Sequence, residues 1–258
     1  MEYMDVSIKG HIAYLTLKRK GSANALSQAL LDEMMTVFQQ WKFDPSIRTI
    51  IITGDGDNVF CAGADLKERR DMNETQVRQA VNKIRQTIQM VEDMPIPVIA
   101  AINGSAIGGG LELALACDLR LASDQAKFAL TETTLAIIPG AGGTQRLPRA
   151  IGTQRAKEMI YTGKRITAET AESWGLILKV VSQDSLLEEA TKLANEIGQN
   201  GPIAIKQAKF AINQGIEVDL KTGLSIEEKA YELTIPTKDR KEGLTAFKEK
   251  RSPVYTGE

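Results

Sequence analysis

Residues 103–143 read NGSAIGGGLELALACDLRLASDQAKFALTETTLAIIPGAGG, and the punctuation of this stretch decides how the rest of the chain is read. Two glycine clusters bracket it, Gly108-Gly109-Gly110 and Gly140-Ala141-Gly142-Gly143, with Glu112 and Glu132 between them. Glycine lets backbone approach a ligand closely, because no Cβ stands in the way. The first cluster runs directly into the helix-forming LELALA, so its N–H groups are expected at the positive end of a helix dipole, the geometry of an anion site or an oxyanion hole. Glu112 then falls in the first turn of that helix, and Glu132 follows an intervening strand, CDLRLAS. Two carboxylates beside polarising N–H donors can serve as acid and base on a carbonyl compound. A helical glutamate is ordinarily a solvated charge, but Glu112 lies in a run with no other charge, which points to burial with a purpose.

Outward from this stretch, strand and helix patterns alternate. Residues 5–17 alternate polar and apolar, and HIAYLTL reads as a strand. Ser27 is placed to cap a helix running to about Trp41, with Leu30, Leu31, Met34, Met35 and Phe38 at helical intervals. RTIIITG reads as a strand buried on both faces. Residues 68–94 form a charged helical segment stopped by Pro95 and Pro97, after which PVIAAI begins another buried strand. This order predicts an α/β fold with parallel pairing. Downstream, residues 144–163 read as one helix with a basic start, and RITAETAESWGLILKVV as a capped short helix, a stop at Gly175 and a strand. From Ser185 onward the pattern is almost wholly helical, with a change of architecture near residue 198.

At 258 residues the chain is long enough for one large core with an appendage. The 32 Lys+Arg nearly cancel the 33 Asp+Glu, which argues against a general binder of nucleic acid. Cys61 and Cys117 are too few for a disulfide framework, and they read as small core residues of a protein in the reducing cytoplasm. No apolar run approaches the length of a membrane span. His11, the one histidine, lies far from every motif and reads as structural; its isolation and the absence of GxSxG disfavour a Ser-His-Asp triad.

Taken together, NAL at 24–26, FCAGADLKE at 60–68, PVIAAINGSAIGGGLELALACDLRLA at 97–122, IIPGAGGTQRLPR at 137–149 and EGLTAFKEKR at 242–251 resemble the crotonase superfamily, also called the enoyl-CoA hydratase/isomerase family, over essentially the whole chain. The resemblance implies a spiral of ββα units with the active site (residues 1–198), then a C-terminal helical region (199–258) that builds trimers, commonly stacked as hexamers. It implies an acyl-CoA thioester substrate, with no metal and no further cofactor, coenzyme A being part of the substrate. Carried over residue by residue, the oxyanion hole falls on the N–H groups of Ala64 and Gly109, the acid/base pair on Glu112 and Glu132, and a water-holding backbone position on Gly140. Coenzyme A contacts fall on Ala64, Asp65, Leu66 and Lys67, and on Tyr231, Phe247 and Lys250 of the C-terminal helices, often across a subunit boundary. Where the family often has Asn-Arg-Pro, this chain has Lys18-Arg19-Lys20.

The expected reaction is hydration of a 2-enoyl-CoA to 3-hydroxyacyl-CoA. The rivals are an isomerase or other acyl-CoA enzyme of the same fold, and an RNA-associated member of the family. Through GADLKER at 63–69, AIIPGAGGTQRLPRAIG at 136–152, INQGIEVDLKTGLSIEE at 212–228 and TIPTKDRKEGL at 234–244, the likeness is nearest to the methylglutaconyl-CoA hydratases of leucine breakdown. Such a substrate carries a second carboxylate, whose burial needs a cation or several donors. Arg69 and Arg70 are the candidates.

Overall fold

The computed structural model describes residues 1–258. A hairpin of β1 (Met4–Lys9) and β2 (Ile12–Leu17) opens a six-stranded sheet, which continues through β3 (Thr49–Gly54), β5 (Val98–Ile102), β7 (Leu119–Ser123) and β10 (Lys179–Val181). From β2 onward all pairings are parallel. A second sheet of four short strands takes β4 (Val59–Cys61), β6 (Ser105–Ile107), β8 (Lys127–Ala129) and β9 (Ile166–Thr167), in that order. Each turn of the chain gives one strand to each sheet and then a helix. β3 and β4 are followed by α2 (Leu66–Arg69) and α3 (Glu74–Glu92), β5 and β6 by α4 (Gly109–Ala116), β7 and β8 by α5 (Gly143–Ile151) and α6 (Thr153–Thr162), and β9 by α7 (Ala168–Ser173). This is the spiral of ββα units.

Local chemistry explains the elements. TIIITG and VIAAI are buried almost throughout, as strands covered on both faces must be. Ser27 Oγ accepts from Leu30 N and starts α1 (Gln28–Trp41), and Asn73 with Gln76 forms a capping box at the start of α3. The corner between β5 and β6 is tied to the previous turn of the spiral by Asn103, whose Oδ1 accepts from Gly54 N and whose Nδ2 donates to Gly56 O. Gly110 lets α4 lie directly on β4: a Cβ there would stand 2.0 Å from Cys61 O.

The main core fills the space between the two sheets and α1, α3 and α4. A smaller one forms where α8 (Leu186–Gly198) sets Leu186, Ala190 and Ala194 on Ile12, Ile51, Ile99 and Leu121 of the large sheet. Both cysteines are buried, and burial pushes each thiol up to about 12. The remaining helices, α9 (Pro202–Gly215), α10 (Leu220–Glu232) and α11 (Lys238–Glu249), bury few residues of their own. They are moored by Lys209, which donates to Asp118 (2.7 Å) and Ile96 O (3.0 Å), and by Arg48, which donates to Tyr255 O (2.7 Å).

Three segments differ from the sequence reading. Residues 5–17 are a hairpin rather than one alternating run, because Gly10 takes φ +59° and reverses the chain. The charged segment 68–94 is two helices, since Asn73 caps a fresh start four residues after Arg69. The segment 144–163 also splits, at Gly152, whose φ of +82° ends α5. No helix is long and apolar enough to cross a membrane.

Candidate active site

The first glycine cluster and the loop after β4 meet back to back. Gly108 adopts φ +55° and α4 begins at Gly109, whose N–H donates to no acceptor in the chain. Across from it, Leu26 N donates to Gly63 O and Asp65 N donates to Leu26 O, which leaves the intervening Ala64 N–H without an acceptor. A Cβ on Gly63 would lie 2.8 Å from Gly109 N, and one on Gly109 would lie 3.6 Å from Ala64 N. The two free amides are therefore neighbours on the wall of one cavity, which both residues line. Asp65 fixes this loop: its side chain caps α2 through Lys67 N and Glu68 N and accepts from Arg19 Nη2 at 3.0 Å.

Glu112 sits one turn into α4 and is 3% exposed. Its Oε1 accepts from Ala141 N and Gly143 N, both at 2.8 Å, while Oε2 accepts no hydrogen bond. Burial raises its pKa, and the two amides, with Arg146 and Arg85 beyond them, pull it back. Glu132 opens a short 3-10 turn (Glu132–Leu135) after β8, and its Oε2 is buried without any partner. Burial, with a contribution from the charge of Glu112, pushes it up to about 7. Its Oε1 would stand 3.1 Å from a Cβ on Gly108, which locates it beside the glycine cluster.

Both glutamates line the same cavity of about 590 Å³. Leu66, Val77, Val81, Ile84, Leu135, Ile137 and Ile138 give it an apolar wall, and Arg69 and Arg85 bring two cations to it. The Arg69 side chain is partly buried and makes neither an ion pair nor a hydrogen bond; burial lowers its pKa, and the charges of Glu112 and Glu132 oppose that. Arg70 is exposed and outside the cavity wall.

Of the residues singled out in the sequence, Ala64, Leu66, Gly109, Glu112, Glu132 and Gly140 come together here. The Asp65 side chain is spent on Arg19, and Lys67 is exposed. Tyr231, Phe247 and Lys250 stand on the exposed surface of α10 and at α11, apart from the cavity wall. The sequence shows Val81, Ile84, Ile88 and Val91 as an apolar stripe of helical period in the charged segment 68–94, but such a stripe reads as core packing and does not single out Val77, Val81, Ile84 and Arg85 as a cavity wall.

Residues 7–258 match the enoyl-CoA hydratase/isomerase family, and the chain belongs to that family. YngF of Bacillus subtilis (strain 168), whose name places it among enoyl-CoA hydratases/isomerases, is 58% identical over 96% of this chain and 95% of its own. The mitochondrial methylglutaconyl-CoA hydratase of Homo sapiens is 52% identical over 96% of this chain and 74% of its own length. Among solved structures, an enoyl-CoA hydratase from Bacillus anthracis superposes with a TM-score of 0.98 at 57% identity, covering 99% of this chain and all of the other. The α/β spiral is thus the family's fold.

Proposed function

We propose that this protein is a hydro-lyase that adds water across the 2,3 double bond of an enoyl-CoA thioester to give the 3-hydroxyacyl-CoA, and that 3-methylglutaconyl-CoA is its preferred substrate. The observation that carries the reading is the unlike setting of two carboxylates in one cavity beside two unengaged amides. Ala64 and Gly109 N–H groups receive the thioester oxygen, where negative charge develops; a donor of this kind is worth about 3–4 kcal/mol to such a transition state. Glu112, held by two amides, takes a proton from water through Oε2 as the water oxygen bonds to C3. The electron pair of the double bond moves to the thioester as an enolate, and Glu132, which holds its proton up to about pH 7, delivers it to Cα. Proton exchange with solvent then restores both carboxyl groups. A double-bond shift needs one base, whereas this site has an acid and a base in distinct environments, which favours hydration over the isomerase reading.

Preference for 3-methylglutaconyl-CoA rests on Arg69. A methylglutaconyl chain ends in a carboxylate, and an apolar wall would expel that charge unless a cation met it. Arg69 is unpaired at this wall and can meet a carboxylate with two N–H groups. The coenzyme A moiety would run along the backbone of residues 64–67 and out to Tyr231, Phe247 and Lys250 of a neighbouring subunit. Subunit association is supported by the apolar side chains that α9 to α11 leave uncovered, Phe210, Ile212, Ile216, Leu220, Leu224, Leu244 and Phe247 among them.

The test is the loss of conjugated enoyl-thioester absorbance on adding the enzyme to crotonyl-CoA and to 3-methylglutaconyl-CoA. Turnover of both is expected, with the larger kcat/KM for the second, and Arg69→Ala should depress the second selectively. Absorbance that persists with every enoyl-CoA would refute the hydratase reading. Equal loss on both substrates in Arg69→Ala would refute the carboxylate contact alone.

A further inference from the structure

Arg85 lies on α3, one turn beyond Val81, and its Nε donates to Gly140 O at 3.1 Å. The N–H on the same peptide unit, that of Ala141, donates to Glu112 Oε1. A trans peptide points its C=O and N–H in opposite directions, so Arg85 and Glu112 grip the two ends of one dipole. The next carbonyl, Ala141 O, accepts from Arg146 Nη1 at 2.9 Å, and Arg146 is itself clamped by Glu92 and Gln89 of α3. The carbonyl after that, Gly142 O, accepts from Gln145 N and Arg146 N in the first turn of α5, and its peptide partner Gly143 N–H is the second donor to Oε1. Each of these three carbonyls therefore has its own donor, and alternate amides converge on one oxygen of one glutamate.

We propose that Arg85 is a positioning residue for the reaction: by holding the Gly140 carbonyl outward it keeps the Ala141 N–H on Glu112 Oε1, and so leaves Oε2 as the oxygen presented to the substrate. The inference rests on the reading of Glu112 as the base. A donor at the carbonyl also polarises the peptide and strengthens the hydrogen bond that its N–H makes. Arg85 is the more informative of the two arginines, because Arg146 is half-buried in an ion pair (side chain 15% exposed) whose loss would disturb packing, whereas Arg85 is exposed. The charged groups facing Glu112 are Arg85 from α3, Arg146 from α5, Arg69 from α2 and Glu132 from the turn after β8. With Arg85 removed, ionised Glu112 loses one cation and one polarised donor, so its proton leaves at higher pH.

The test uses full-length Arg85→Ala and Arg85→Lys. The carboxylic-acid infrared band of Glu112, identified as the one lost in Glu112→Gln, is followed against pH. In Arg85→Ala its midpoint should rise, which leaves less ionised Glu112 at any pH below the midpoint. Arg85→Lys should recover part of the shift. The acid limb of kcat should move with the band, while affinity for the saturated butyryl-CoA stays that of the parent protein. An unmoved band in Arg85→Ala would overturn the proposal, as would a fall in kcat matched by an equal fall in butyryl-CoA affinity with the acid limb in place. If the parent protein hydrates no enoyl-CoA, the hydratase reading fails, and the infrared titration still decides whether Arg85 governs Glu112.

Discussion

Replacing Glu132 by glutamine should make the protein more stable at alkaline pH while removing most of its activity. In the folded chain burial holds this carboxyl at about 7, against an ordinary 4.5. The folded state therefore keeps a proton that the unfolded state has already lost. Its contribution to stability is full below 4.5 and is lost as pH rises through about 7. Integrated from pH 5 to pH 8, that shift amounts to about 2.5 kcal/mol. The side chain opens onto a solvent-connected cavity, so screening reduces this to about 1 kcal/mol. Glutamine has the same shape and no proton to lose. The assay is urea unfolding of parent and Glu132→Gln at pH 5 and pH 8, at one protein concentration. The stability difference between the two proteins should grow by about 1 kcal/mol in favour of the variant between the two pH values. A difference that is flat with pH, or that favours the parent at pH 8, would refute the claim that Glu132 is a strained acid.

Glu112→Gln should lower kcat by about 10²–10⁴-fold with the fold intact, as measured by enoyl-CoA turnover and circular dichroism. The double variant with Glu132→Gln should lose less than the product of the two single losses, because the pair acts on one transition state. Gly110→Ala should cost about 1–3 kcal/mol or prevent folding, since its Cβ would press on the backbone oxygen of Cys61; a parent-like urea midpoint would mean that α4 can lift off β4. Light scattering of the full chain should give a multiple of its 28.2 kDa mass, and a single-chain mass would leave the apolar faces of α9 to α11 without the proposed partner.

The parts of this structure that were legible in the sequence are those governed by local rules. The buried strands of the large sheet announced themselves as β-branched runs, the Ser27 cap fixed the start of α1, and Gly108-Gly109 ahead of LELALA marked the start of α4. The charge of Glu112 within an apolar run pointed to its burial. What stayed hidden depends on contacts between distant segments. Nothing in 5–17 said that Lys9-Gly10 would reverse the chain, because a lone glycine fits a strand bulge as well as a turn. The partners of Glu112 lie about thirty residues downstream, in a loop whose orientation is set by arginines on two other helices. Of the neighbouring Arg69 and Arg70, sequence could not choose the one that turns inward; a short four-residue helix decides it.

The mass of the product formed from 3-methylglutaconyl-CoA in water enriched with heavy oxygen separates hydration from isomerisation. If Glu112 activates water for addition, the product gains the whole mass of one labelled water, and Glu112→Gln forms almost none of it. A product of unchanged mass with its double bond moved would contradict hydration and make the protein an isomerase.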